Sequence, residues 1–345
     1  MPLVSVLLPI RNEARHIEGC LEAILAQDYP PERMEVLIAD GMSDDGTREL
    51  LASHAGRDSR IRVVDNPGRI VPTGLNAAIR ACRGDIIVRI DGHTLIAPDY
   101  VREAVSALGR TGADVVGGNM TARGERPFGR AVAMATSNPM GVGGSRFHYA
   151  GSEEPAESAY MGTFRRDVFD RFGLFNESLV RNQDDEFNYR VRERGGKVWL
   201  VPSMRSVYSP RESARLLLRQ YFQYGWFKVR VASLHPGMMR ARHFAPSAFT
   251  LLVAVLAAAV PAAPAAAAGA LAGLLALHAA ASLAFSAGEG RGDPGAWLLT
   301  PLVTLILHLA YGSGFLSGWI AALLGRMPGA ALPGGGGVRK PGSAG

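Results

Sequence analysis

Residues 86–94 read IIVRIDGHT: an apolar, β-branched run ends in Asp91 and His93, with one glycine between them. Residues two apart on an extended chain project to the same side, so a carboxylate and an imidazole would face one spot. Both types ligate divalent cations; the carboxylate suits Mg or Mn, and imidazole tolerates Mn. A cation held there would grip a diphosphate and neutralise its charge as it leaves. The plain alternative is a turn, because Asp-Gly is a strong turn signal and His93 then has no special role. This stretch alone leaves both open.

Other apolar runs also end in polar residues. VSVLLPI leads into Pro9, Arg11, Asn12 and Glu13, and MEVLIAD closes on Asp40 before GMSDDGT. A carboxylate at Asp40 suits a base N–H or a ribose hydroxyl at the end of a strand. Asp44 or Asp45 reads as a cap for a helix starting near Thr47. Glu13 is either a site residue or a first-turn acid favoured by the helix dipole. Further on, RNQDDEFNYRVRERGG places Asp184, Asp185 and Glu186 at an apparent helix start. They are either the acids that helix N-termini favour, or they include a base that takes a proton from an acceptor hydroxyl. No G-x-G-x-x-G follows the first run and no G-x-x-x-x-G-K-[ST] occurs, so a nicotinamide-type site and a P-loop are unsupported.

The elements that must position these residues alternate. Over residues 1–210, apolar strand patterns (VSVLLPI, MEVLIAD, IRVVDN, DIIVRID, ADVVGGNM) are separated by helical ones. This rhythm predicts an α/β domain with a mostly parallel central sheet and helices on both faces. In such sheets ligands bind beyond the carboxyl ends of the strands, where the residues above collect. MPLVSVLLPIRNE lacks the basic start and the cleavage site of a signal peptide; it reads as a strand over Val4–Leu8 stopped by Pro9. Cys20 and Cys82 lack metal-ligand spacing, which speaks against a disulfide framework or a zinc site.

The composition changes near Ala245. No charged residue occurs from there to Ala287, roughly twice the ~20 residues of one membrane-spanning helix. Two helices joined near Pro261 and Pro264 fit, and Ala296–Leu324 is long enough for a third. The basic flank Lys228, Arg230, Arg240 and Arg242 places the catalytic side in the cytoplasm by the positive-inside rule and suits anionic headgroups. Three spans would then put Arg326, Arg339 and Lys340 outside, against that rule; a re-entrant segment would resolve the conflict. The net charge of +6 thus serves lipid and diphosphate, and no nucleic-acid-binding module is visible. The expected organisation is an α/β domain over 1–210, a juxtamembrane basic segment over 211–244, a membrane region of two to three helices over 245–325, and a disordered tail over 326–345.

VSVLLPIRNE, IADGMSDDGT, NPGRIVPTGLNAAIRACRGDIIVRIDGHT and NQDDEFNYRVRERGGKVWLVP together resemble the inverting family 2 glycosyltransferases with a GT-A fold. The subgroup they are most similar to is that of the succinoglycan-biosynthesis transferases of bacterial exopolysaccharide pathways. The resemblance covers residues 3 to 235, and the apolar C-terminal helices fit that subgroup. It implies a nucleotide-sugar donor, a UDP-sugar, and a divalent metal, Mg or Mn. It implies that Asp40 contacts uracil or ribose, that Pro9 to Glu13 (including Arg11) line the nucleotide pocket, and that Asp91 and His93 hold the metal where the family has Asp-x-Asp. It implies that Asp184 is the base, in the second place of a family Glu-Asp pair that here reads Gln183-Asp184, with Asp185 the alternative one register on. RQYFQYGWFK resembles a relaxed Gln-x-x-Arg-Trp motif in which Gln223 and Trp226 match and Gly225 replaces Arg, which would put Gln223 and Trp226 beside the donor. The same segment also reads as an amphipathic interfacial helix.

The expected function is therefore a transferase at the bacterial-type inner membrane. It would pass a sugar from a nucleotide donor to a lipid-linked saccharide acceptor, in contact with membrane lipids. The rival readings are a sugar nucleotidyltransferase, which would want a Gly-rich, basic triphosphate loop near the first strand, and an inactive membrane scaffold.

Overall fold

A computed structural model describes residues 1–327. From residue 328 on, the expected tail lies outside the described residues. The chain runs β1 (Val4–Ile10), α1 (Ile17–Leu25), β2 (Met34–Asp40), α2 (Thr47–Arg57), β3 (Ile61–Asp65), α3 (Val71–Ala81), β4 (Ile86–Arg89), β5 (Thr94–Ile96), α4 (Tyr100–Thr111) and β6 (Val115–Ala122). It continues through α5 (Pro127–Thr136), α6 (Pro139–Val142), β7 (Glu154–Pro155), β8 (Thr163–Arg165), α7 (Asp167–Phe172), α8 (Gln183–Glu193), β9 (Val198–Tyr208) and α9 (Ala214–Leu234). It ends with α10 (Ala241–Ala259), α11 (Pro264–Phe285), α12 (Ala287–Gly290), α13 (Pro294–Trp297) and α14 (Thr300–Leu323).

The strands form one sheet in the order β3-β2-β1-β4-β8-β6-β9-β5, with β7 also on β9. The first four are parallel neighbours, as the alternating pattern predicts. The sheet is mixed beyond them: β8 runs antiparallel to both β4 and β6, and β5 and β7 antiparallel to β9. These short strands carry too few residues to show a period in sequence.

Every residue of β1 and β2 is buried. Their side chains alternate between two cores. Val6, Leu8, Val36 and Ile38 meet Ile17, Leu21 and Ile24 of α1 and Val101 of α4 on one face. Leu7, Leu37 and Ala39 meet Leu75 and Ile79 of α3, with Phe164, Phe169, Phe175 and Phe187, on the other. Each fully buried side chain of this size contributes about 1.5–3 kcal/mol. β1 does not stop at Pro9 but continues to Ile10. Its pairing with β4 ends at Leu7, so the missing N–H of Pro9 falls beyond the last β1–β4 pair and no ladder bond is lost.

Three C-terminal helices are long and apolar enough to cross a membrane, counting α13 and α14 as one stretch. α10 and α11 form a hairpin whose turn, residues 260–263, contains Pro261, and Pro264 opens α11.

Candidate active site

The carboxyl ends of β1 and β4, the start of α8 and one face of α9 surround a cavity of about 1870 Å³. It continues past Lys228 to Phe249 on α10 and to His308 and Tyr311 on α14, so one space joins the sheet crevice to the membrane helices.

Two clusters of charge face it. In the first, the chain leaves β4 and turns sharply, with the Thr94 N–H donating to the Asp91 carbonyl at 3.0 Å. Gly92 sits at this turn against the end of β1, where a Cβ would stand 2.6 Å from Ile10 Cγ2. Asp-Gly-His thus forms a turn: the backbone is not extended here, and Asp91 and His93 still line the same cavity. Asp91 Oδ1 accepts from Arg89 Nε at 3.1 Å and Nη2 at 2.9 Å. Burial opposes its ionisation, but the Arg89 guanidinium and His93 outweigh this and hold the carboxyl below its usual range. His93 Nδ1 lies 3.1 Å from Glu13 Oε1. Burial pushes the imidazole down, and Glu13 and Asp91 more than reverse that.

The second cluster opens α8. Successive helix residues point about 100° apart, so three consecutive acids go three ways. Asp184 faces the cavity, with Oδ2 3.7 Å from Arg89 Nη1. Asp185 accepts from Lys228 Nζ at 2.6 Å and from Ser158 Oγ at 2.8 Å. Glu186 turns into the core against Arg190 at 2.9 Å and His235 at 3.0 Å. The two aspartates therefore titrate in opposite directions. Burial raises Asp184, with Arg89 opposing and Asp185 adding. Asp185 is also penalised by burial, but the Lys228 ammonium holds it below the usual carboxylate range. Arg89 joins the clusters: it is buried, and its Nη1 has no hydrogen-bond partner.

The sequence profile of glycosyl transferase family 2 matches residues 5–173. The succinoglycan biosynthesis protein ExoA of Rhizobium meliloti (strain 1021) is 32% identical over 318 residues, covering 90% of this chain and 93% of ExoA. The chain belongs to glycosyltransferase family 2. Glycosyltransferase AglE of Haloferax volcanii is 26% identical to this transferase, over 73% of the chain and 81% of AglE. Among solved structures, the mannosyltransferase PcManGT from Pyrobaculum calidifontis, in complex with GDP-Man and Mn2+, superposes with a TM-score of 0.61. At 22% identity, over 91% of this chain and 87% of that one, it shows the GT-A fold. Family membership makes the protein a glycosyltransferase and sets aside the nucleotidyltransferase and scaffold readings.

The expected residues of the transferase divide. Pro9, Arg11, Glu13, Asp91, His93, Asp184 and Asp185 all line the cavity. Asp40 does not: it is fully buried, and its carboxylate accepts from the Ser43 N–H and hydroxyl and lies 3.2 Å from Arg48. Gln223 and Trp226 do not either, because α9 turns Gln220, Tyr221, Tyr224 and Lys228 toward the cavity instead. Gln223 accepts from Arg181 Nε at 3.1 Å, and Trp226 packs with Leu179 and Ala321. Gly225, where the motif would have Arg, lies against the α14 backbone, and any side chain there would strike the Tyr311 carbonyl. Asp44 and Asp45 clasp the preceding loop: Asp44 accepts from Asn12 Nδ2 at 2.8 Å, and Asp45 from the Thr47 N–H and hydroxyl and the Ala14 N–H.

Sequence reasoning passed over Arg89 and placed Lys228 in the basic flank for headgroups, whereas Lys228 is buried against Asp185. The signal for Arg89 was present: one guanidinium inside a β-branched strand run requires buried acids as partners. Lys228 carries the same signal inside the apolar turn GWFKVRV.

The residues present fit a divalent cation. Asp91 Oδ2 and His93 Nε2 have no hydrogen-bond partner among the described residues, while the other atom of each group is anchored. A carboxylate at the other ring nitrogen is the usual support for a ligating imidazole, and Glu13 Oε1 supplies it at His93 Nδ1. No cluster of three or more His, Cys, Asp or Glu stands ready to hold a metal among the described residues. Two protein ligands leave positions for diphosphate oxygens and water, as Mg sites commonly do.

Proposed function

We propose that this transferase moves a sugar from a UDP-sugar to a lipid-linked saccharide at the inner membrane, with inversion, in exopolysaccharide or cell-surface glycan synthesis. The observation that carries the reading is the pairing of charges around Arg89. Asp91 lies on one side, with Oδ2 and His93 Nε2 free for a Mg or Mn ion, and Asp184 on the other, in one cavity that reaches the membrane helices.

Asp184 is the base. Lys228 neutralises its neighbour Asp185, whereas Asp184 makes only a 3.7 Å approach to Arg89 and accepts from the Asp185 N–H at 3.0 Å. Burial strengthens its hold on a proton, as a general base requires. Asp184 takes the acceptor hydroxyl proton, and that oxygen's electron pair forms the new bond to the anomeric carbon. The bond from that carbon to the diphosphate oxygen breaks on the opposite face, and UDP leaves with the electron pair. Asp91 and His93 would hold the metal, which when bound supplies positive charge to the departing diphosphate. Glu13 fixes His93 in place, and Gln223 holds Arg181 at the cavity wall.

The basic flank of α9 and α10 supports a cytoplasmic catalytic domain. Support for the metal and the nucleotide sugar comes from Mn2+ and GDP-Man in PcManGT, and for the glycan class from the succinoglycan role in ExoA's name. The test is UDP binding by calorimetry in detergent, with and without Mn, for wild type and Asp91→Ala. Mn-dependent binding that Asp91→Ala loses supports the donor site. Binding of GDP in place of UDP overturns the donor, and no nucleotide binding overturns the reading.

A further inference from the structure

The three apolar helices do not sit alike on the catalytic domain. In α10 and α11, 6% and 11% of the most apolar window is buried within the protein; in the third stretch the figure is 44%. α9 lies on the catalytic domain over its length: Leu217 packs with Ala131 and Val132 of α5, Lys228 pairs with Asp185, and His235, just past its end, meets Glu186.

α14 lies on α9, and the two run parallel. Leu307 shares a cluster with Leu217, Gly314 meets the Phe222 backbone, Gly318 meets Trp226 and Val229, and Ala321 packs with Trp226 and Leu179. Gly225 and Gly314 are what let the backbones touch: a Cβ on either would strike a carbonyl of the other helix. α14 meets the α10–α11 hairpin near its catalytic-side ends, through Phe244–Phe315, His278–His308 and Ser282–Thr304.

A spanning helix must carry one end across about 30 Å of hydrocarbon. Both ends of α14 instead rest on the charged, water-facing domain, at α5 and at Leu179. We propose that α14 does not cross the bilayer. It lies in the leaflet on the catalytic side, and the chain crosses twice, through α10 and α11 alone. Its outward residues suit that depth: Leu302, Ile320 and Leu323 are exposed, and Trp319 stands where interfacial aromatics collect. Residue 327 then stays on the side of the catalytic domain. That eases the charge conflict, because Arg326 joins the basic flank on one side.

The test is labelling of single cysteines in the full-length protein with a membrane-impermeant maleimide, on intact cells and on inverted vesicles. Cys20 and Cys82 are both buried and give little background. Glu32→Cys reports the catalytic domain, Ala262→Cys the hairpin turn and Met327→Cys the end of the described chain. The expected result is that Glu32→Cys and Met327→Cys label from one side and Ala262→Cys from the other. Labelling of Met327→Cys from the side of Ala262→Cys means three crossings and overturns the proposal. Met327→Cys that labels only after denaturation places it in hydrocarbon and also overturns it.

Discussion

Replacing Arg89 by Gln removes the one cation among the described residues that touches both Asp91 and Asp184. Opposite charges near 4 Å interact by about 4 kcal/mol at an effective dielectric of 20. Asp184 is about one-third exposed, so water screens much of this, leaving about 1–2 kcal/mol, or roughly 5- to 30-fold in rate. The sign follows from which form Arg89 favours. It stabilises ionised Asp184 against burial, so without it the base holds its proton to higher pH. The expected outcome is a loss of about 5- to 30-fold in kcat/KM at neutral pH, with the acid limb of the profile moved to higher pH and much of the loss recovered above it. The assay is the pH profile of sugar transfer at saturating Mn, which separates this effect from weakened metal binding at Asp91. Arg89→Lys should lie between wild type and Gln. A uniform loss at every pH, with the limb unmoved, would refute the electrostatic link and leave Arg89 a packing residue.

Lys228→Met leaves the Asp185 carboxylate half-buried with only Ser158, and should cost about 1–3 kcal/mol, below the 3–5 of a fully buried pair because Asp185 is 28% exposed. Because the folded pKa of Asp185 is depressed, the wild-type pair contributes stability above the unfolded carboxylate pKa and loses it as pH falls through the folded value. The gap in thermal stability between wild type and Lys228→Met should therefore close on acidification. Glu13→Gln keeps its place in the cavity but weakens the anchor of His93; the Mn needed for half-maximal UDP binding should rise about 10-fold or more by calorimetry, with an unchanged value excluding Glu13 as the support of a ligating His93. Gly225→Leu forces α14 off α9 and should cost at least 1–3 kcal/mol in detergent, where an equal change in the exposed loop at Gly151 should cost little.

The parallel half of the sheet was legible because β1 and β2 are long apolar runs and all four of its strands are separated by helices. β5, β7 and β8 were not, because two or three residues carry no period and their pairing is decided by contacts far away in sequence. At the site, strand ends pointed to Asp91, His93 and Glu13 because chain direction alone brings such ends to one crevice. Asp40 ends a strand equally well, yet Ser43 and Arg48, only three and eight residues on, close over its carboxylate. Gln223 and Trp226 were drawn from a motif whose middle residue had changed to Gly225. That change marks a helix contact, and the contact depends on α14, some 90 residues away. Arg89 and Lys228 were legible in kind, as buried cations seeking acids, but their partners follow only from the fold.

The most direct test of the central claim compares Asp184→Asn with Asp185→Asn in transfer from a panel of UDP-sugars to bacterial lipid-linked acceptors, alongside Mn-dependent UDP affinity. The account predicts that Asp184→Asn binds UDP as wild type does and loses about 10²- to 10⁴-fold in transfer, while Asp185→Asn retains measurable turnover. Transfer by Asp184→Asn close to the wild-type rate, or a dead Asp185→Asn beside a working Asp184→Asn, would contradict it.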